Sequence, residues 1–155
     1  MCIRDRAGWI ADYDYVSGLR PYLRSQYVRA RAEGATAYVY VYSDSSEHCL
    51  NIRRLIDREV VATAFHDVRV TMLSYERLKS LYLRAPRLAF DPGNVDALFV
   101  KIAADGTLSD AIFYAHLYLY HPEKLRNFGY SYPMQPTLTE FADALQKYFE
   151  ANAET

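Results

Sequence analysis

A chain of 155 residues, 51% of them hydrophobic and 24% charged, is long enough for one domain with a real core and too apolar to be disordered. Its 18 Lys and Arg stand against 19 Asp and Glu, so it lacks the basic excess that a broad nucleic-acid or anionic-membrane surface requires. Two cysteines cannot staple a small disulfide scaffold, no apolar run reaches the ~20 residues that cross a bilayer, and the unusual count is 15 tyrosines.

The first segment, Met1-Cys2-Ile3-Arg4-Asp5-Arg6, is similar to the translation of a transposase-type sequencing adapter and is set aside from fold reasoning. Cys2 then drops out and Cys49 stands alone. The natural N-terminus is expected to be missing, which leaves both cytoplasmic and periplasmic or secreted locations open. Residues 7–36 read as an N-terminal extension with a helix, 37–151 as the domain and 152–155 as a tail. Trp9 to Tyr15 is aromatic and acidic without a clear period. From Ser17 to Glu33, Leu19, Leu23, Tyr27, Val28 and Ala30 recur at helical spacing, with Pro21 in the first turn and Gly34 at the end.

Ala37-Tyr38-Val39-Tyr40-Val41-Tyr42 has no polar face, the mark of a strand covered on both sides. Asp44 to Glu47 carries helix-start chemistry, and a helix is expected from there to Phe65, with Ile52, Leu55, Ile56, Val60 and Ala64 inward. Val68 to Leu73 reads as a second apolar strand. Tyr75 to Arg84 reads as a shorter helix stopped before Pro86, and Asp91 to Asn94 as a turn. Ala97 to Ala103 and Leu108 to Ala115 form a hairpin about Asp105-Gly106, with Leu117 to Tyr120 prolonging its second strand. His121 to Gln135 is an ordered excursion. Thr137-Leu138-Thr139-Glu140 is a capping box opening an amphipathic helix with Phe141, Leu145, Tyr148 and Phe149 inward.

After the first helix the order is strand, helix, strand, helix, strand, strand, helix, which folds into a mixed α/β sheet of about four strands between helices. That order resembles the thioredoxin fold, a three-layer sandwich with a βαβαββα core, here with an extra N-terminal helix. In thioredoxin-like proteins a Cys-x-x-Cys pair opens the helix after the first core strand. The equivalent stretch here is Tyr42-Ser43-Asp44-Ser45-Ser46-Glu47-His48-Cys49-Leu50. Cys49 matches the second cysteine, Ser46 stands where the first, attacking one is expected, and Ser45 replaces the usual tryptophan. Leu98 to Gly106 resembles the hairpin strand and its Asp-Gly turn, while Asp96 or Ala97 occupies the place of the cis-proline before it.

Dithiol exchange needs one thiolate to attack and a second to resolve the mixed disulfide. Ser46 inherits the electrostatic position at the helix start, but a hydroxyl forms no disulfide. Cys49, a turn deeper, is expected to stay protonated, the more so if Asp96 comes near. The resemblance therefore implies a non-catalytic module, leaning away from an enzyme, that binds a protein or peptide near the Ser46 helix start or the Tyr118–Tyr132 region. The alternative is a single-thiol redox protein that uses Cys49 for exchange, glutathionylation or peroxide sensing.

The remaining candidates are weaker. His48 and Cys49 point about 100° apart on a helix and do not face each other. His116, His121 and Glu123 lack recognised ligand spacing, so no metal and no cofactor is expected. His66 suits a helix end. No phosphate-cradling glycine loop or serine elbow is present. Arg20, Arg24, Arg29 and Arg31 read as a solvated face. Tyr38, Tyr40 and Tyr42 are expected under helices with hydroxyls at the rim. Tyr114, Tyr118, Tyr120, Tyr130 and Tyr132 cluster near the hairpin end, with Tyr118, Tyr120, Tyr130 and Tyr132 the candidate binding patch for an unknown protein or peptide partner.

Overall fold

The computed structural model describes residues 9–12, 19–42, 47–74, 97–120 and 137–153. In chain order they form β1 (Trp9–Asp12), α1 (Leu19–Ala32), β2 (Thr36–Tyr42), α2 (Glu47–Ile56), α3 (Glu59–Ala62) with a 3₁₀ turn (Thr63–Phe65), β3 (Val68–Ser74), β4 (Ala97–Ile102), β5 (Leu108–Phe113), α4 (Ala115–Tyr120) and α5 (Leu138–Ala151). The strands make one mixed sheet in the order β1-β3-β2-β4-β5. Strands β1, β3 and β2 run parallel, and β4 and β5 are added antiparallel. This is the three-layer α/β arrangement that the sequence implies, with five strands where about four were expected.

The added strand is β1. Four residues are too few to display an alternation, so only its pairing with β3 reveals it. The segment read as an extension thus supplies both an edge strand and α1, which packs against β2, β3 and β4.

The alternation in β2 has a physical meaning. Tyr38 and Tyr40 share a side of the sheet with their cross-strand partners Val70, Met72, Lys101 and Phe99, and Phe99 is opposite Phe113. That side is closed by rings from the helices. Phe149 lies 4.8 Å from Tyr38, 5.2 Å from Phe65 and 5.7 Å from Phe99 between ring centroids. On the other side Val39 and Val41 join Val100, Leu98, Thr71 and Leu73, an aliphatic layer under the inward face of α1. A strand with aromatic residues on one side and valines on the other therefore sits between two differently built layers. Tyr38 and Tyr40 are fully buried, so their hydroxyls end inside the aromatic layer and not at a rim. Tyr38 donates to the Phe149 carbonyl oxygen at 3.4 Å.

Two elements differ from expectation. The helix expected to run to Phe65 ends at Ile56 and restarts at Glu59, because Arg58 is extended at φ -67, ψ 138. The restart shifts the phase: Val61, Ala64 and Phe65 turn inward, and Val60 is exposed. Leu117 to Tyr120, expected to prolong β5, belong instead to the short helix α4. A run that is apolar on every side fits a buried helix as well as a strand, and periodicity cannot separate them. The C-terminal helix follows its sequence closely. Thr137 Oγ1 accepts from the Glu140 N–H at 3.1 Å while Glu140 Oε1 accepts from the Thr137 N–H at 2.9 Å, a complete capping box. The helix expected over Tyr75 to Arg84, the turn at Asp91 to Asn94 and the excursion from His121 to Gln135 lie outside the described residues.

Candidate functional site

Three strand ends meet where β2 gives way to α2. Tyr42, the last residue of β2, pairs on one side with Ser74, the last residue of parallel β3, and on the other with Ala97, the first residue of antiparallel β4. From this pole the chain leaves β2 through α2 to reach β3 on one side, while β4 pairs with β2 on the other. Such a pole, outside the carboxyl ends of parallel strands, is where open α/β sheets leave a crevice for ligands. Tyr40 and Tyr42 project from the same side of β2 with their rings 5.9 Å apart and within 14° of parallel. Ala97 is fully buried.

Helix α2 starts at Glu47, so Ser46 is the residue immediately before it in the chain and Cys49 the third residue within it. Glu47 brings an acidic side chain to the first turn, where the exposed N–H groups favour negative charge. Ile52 and Ile56 anchor the helix in the core. Leu50 is 54% exposed, an apolar side chain that the sequence reading left unassigned. Its signal was its position: with Ile52 and Ile56 inward, a helical residue two before Ile52 turns outward. Ser45, Ser46 and Asp96, and the side chains of His48 and Cys49, lie outside the described residues.

Helix α4 packs against both α2 and β4. The two places that the sequence offers for docking are the start of α2 and the region from Tyr118 to Tyr132, of which Tyr118 and Tyr120 belong to α4. Within α4 the tyrosines divide. Tyr118 is 1% exposed, packs its ring at a tilt against Phe113 and Phe141, and donates its hydroxyl to the Glu140 carbonyl oxygen at 3.2 Å. It is a core residue and presents no surface to a partner, because the all-apolar run around it folds as a buried helix. Tyr120 is half-buried, with its ring 5.4 Å from that of buried His116. Tyr130 and Tyr132, like His121 and Glu123, lie outside the described residues. Among the described residues no cluster of three or more His, Cys, Asp or Glu side chains is arranged to hold a metal. No described helix is long and apolar enough to cross a membrane.

No family model and no curated protein matches the chain. Among solved structures it is similar to Trxlp from Edwardsiella tarda, at 19% identity and a TM-score of 0.41 over 76% of this chain and 95% of that one. The likeness is distant, and the fold is read from the strand order and pairings themselves.

Proposed function

We propose that this domain is a thioredoxin-like module without a redox dithiol, which works by binding a protein or peptide at the pole formed by α2, the end of β2 and the start of β4. The observation that carries the reading is the residue before α2: serine stands where dithiol chemistry requires the attacking sulfur. Two further departures support it. Ser45 replaces the aromatic residue expected there, and neither Asp96 nor Ala97 supplies the proline that aligns an extended peptide in redox-active relatives.

A second reading keeps some chemistry at Cys49. The third residue of a helix lies within the first turn, where unpaired N–H groups stabilise a thiolate. Alkylation of Cys49 with iodoacetamide across pH, in a Cys2→Ser background, separates the two. The binding reading expects slow modification at neutral pH that speeds up only on denaturation. Rapid modification of the native protein at neutral pH would establish a reactive thiol and remove that reading.

A further inference from the structure

Helix α1 contains Arg20, Arg24, Arg29 and Arg31 and no acidic residue. Leu23, Gln26 and Ala30 turn inward, which leaves two rows of side chains on the outer face, Arg20–Arg24–Val28 and Pro21–Ser25–Arg29. Rows spaced by four residues form the ridges of a helix surface, and a groove runs between them. Here the groove deepens into an open cavity of about 900 Å³ because the β4–β5 turn abuts its end, with Ala104 and Asp105 completing the lining. The abutment is close. Gly106 has φ +90, and a Cβ there would run into the Arg20 carbonyl oxygen.

The groove is chemically asymmetric. Arg20 is held by the turn, its Nε donating to the Asp105 carbonyl oxygen at 3.2 Å and its Nη2 lying 3.7 Å from Asp105 Oδ2. Among the described residues Arg24 and Arg29 have no such carboxylate beside them. Between them Val28 is 58% exposed, the most exposed large apolar side chain among those described. Two available guanidinium groups around an apolar contact match carboxylates flanking an apolar side chain, since each planar fork donates to a carboxylate in bidentate fashion and the arginine stems extend the apolar floor.

We propose that this groove docks an acidic segment of a partner protein, one in which apolar side chains are interspersed among carboxylates. A densely phosphorylated polymer fits it less well. With Arg20 paired to Asp105, only Arg24 and Arg29 remain among the described residues of the groove to meet an anion, too few cations for an unbroken run of charges and enough for carboxylates spaced by an apolar side chain. The net charge of -1 provides no wider basic field for a polyanion. The surface is also separate from the entrance to α2. Lys101 pairs with Tyr38, so the turn after β4 lies beyond the start of β2, while α2 follows its end. Seven strand residues, roughly 20 Å at ~3.3 Å each, separate the two poles.

The test is fluorescence anisotropy on the full chain with three short labelled probes of equal length: glutamate interrupted by leucine, lysine interrupted by leucine, and oligothymidine. The glutamate–leucine peptide is expected to bind saturably, with affinity falling as salt rises. An Arg24→Glu, Arg29→Glu double variant should weaken it about tenfold or more, and Val28→Ser severalfold. An Arg24→Gln, Arg29→Gln variant should fall in between, with all circular dichroism spectra unchanged. Absence of saturable binding, equal binding by the charge-reversed variant, or tighter binding of the lysine peptide or the oligonucleotide would overturn the proposal. None of these outcomes bears on Cys49, so the reading of the α2 entrance stands or falls separately.

Discussion

The Tyr148 hydroxyl of α5 donates to the Ala111 carbonyl oxygen of β5 at 2.7 Å, with the Phe99 carbonyl oxygen of β4 a further 3.3 Å contact. One phenol thus fastens the C-terminal helix to the antiparallel half of the sheet. Its ring also packs 5.5 Å from Tyr38 and 5.6 Å from Phe113. Tyr148→Phe keeps the ring and loses the hydroxyl, so it should cost about 1 kcal/mol. Tyr148→Ala should cost a further ~2–4 kcal/mol through the cavity it leaves. Urea unfolding midpoints at unchanged m-value check both.

Thr137→Ala removes the oxygen that accepts the Glu140 N–H. The expected loss is about 1 kcal/mol, recovered in large part by Thr137→Ser, because the cap needs the hydroxyl and not the methyl group. Thermal unfolding followed by circular dichroism at 222 nm, the helix band, gives the comparison.

Gly106 occupies a left-handed backbone position against the first turns of α1. Gly106→Ala introduces both backbone strain and a clash with a carbonyl oxygen that belongs to the helix backbone. A destabilisation of roughly 1–3 kcal/mol is expected in the same unfolding assay.

The Asp105 carboxyl is lowered chiefly by the Thr107 hydroxyl, then by the Thr107 N–H, with Arg20 adding a smaller pull. A carboxyl whose native value lies below its unfolded value stabilises the fold above the ordinary aspartate range and loses that contribution as pH falls through the native value. Wild type should therefore exceed Asp105→Asn in stability at neutral pH, and the two curves should converge in acid. A constant gap at all pH values would show that the charge is not involved.

Much of this architecture is legible in the sequence because its signals are local. The unbroken apolar run Ala37 to Tyr42 marks a central strand, Asp105-Gly106 marks the hairpin, and the Thr137-to-Glu140 spacing marks the last helix start. What escapes is set by tertiary context. Strand β1 is too short to carry a period and exists through its pairing with β3. Helix α4 is apolar all round and reads as strand, which also made buried Tyr118 look like a surface residue. Arg58 breaks the helix after α2 with an extended backbone that no proline or glycine announces. At the candidate site the residue types are legible in Ser46 and Cys49, whereas the meeting of Tyr42, Ser74 and Ala97 follows only from strand register. The groove on α1 required the β4–β5 turn to be placed beside it.

Ser46→Cys, in the Cys2→Ser background, would restore two sulfurs at the spacing of the dithiol motif. Mild oxidation should then produce an intramolecular disulfide joining Cys49 to the introduced thiol, seen as the loss of two hydrogens by mass spectrometry and reversed by dithiothreitol. Failure of that pair to close would show that the α2 entrance does not have the geometry of a thioredoxin-like site.

In the function proposed here, the native entrance to α2 carries no disulfide chemistry. The most direct test is the reduction of insulin disulfides by dithiothreitol, followed by turbidity, with the Cys2→Ser protein added in catalytic amount. The uncatalysed rate is expected with this protein, and acceleration only when Ser46→Cys is introduced. Acceleration by the protein bearing Cys49 alone would contradict the proposed function.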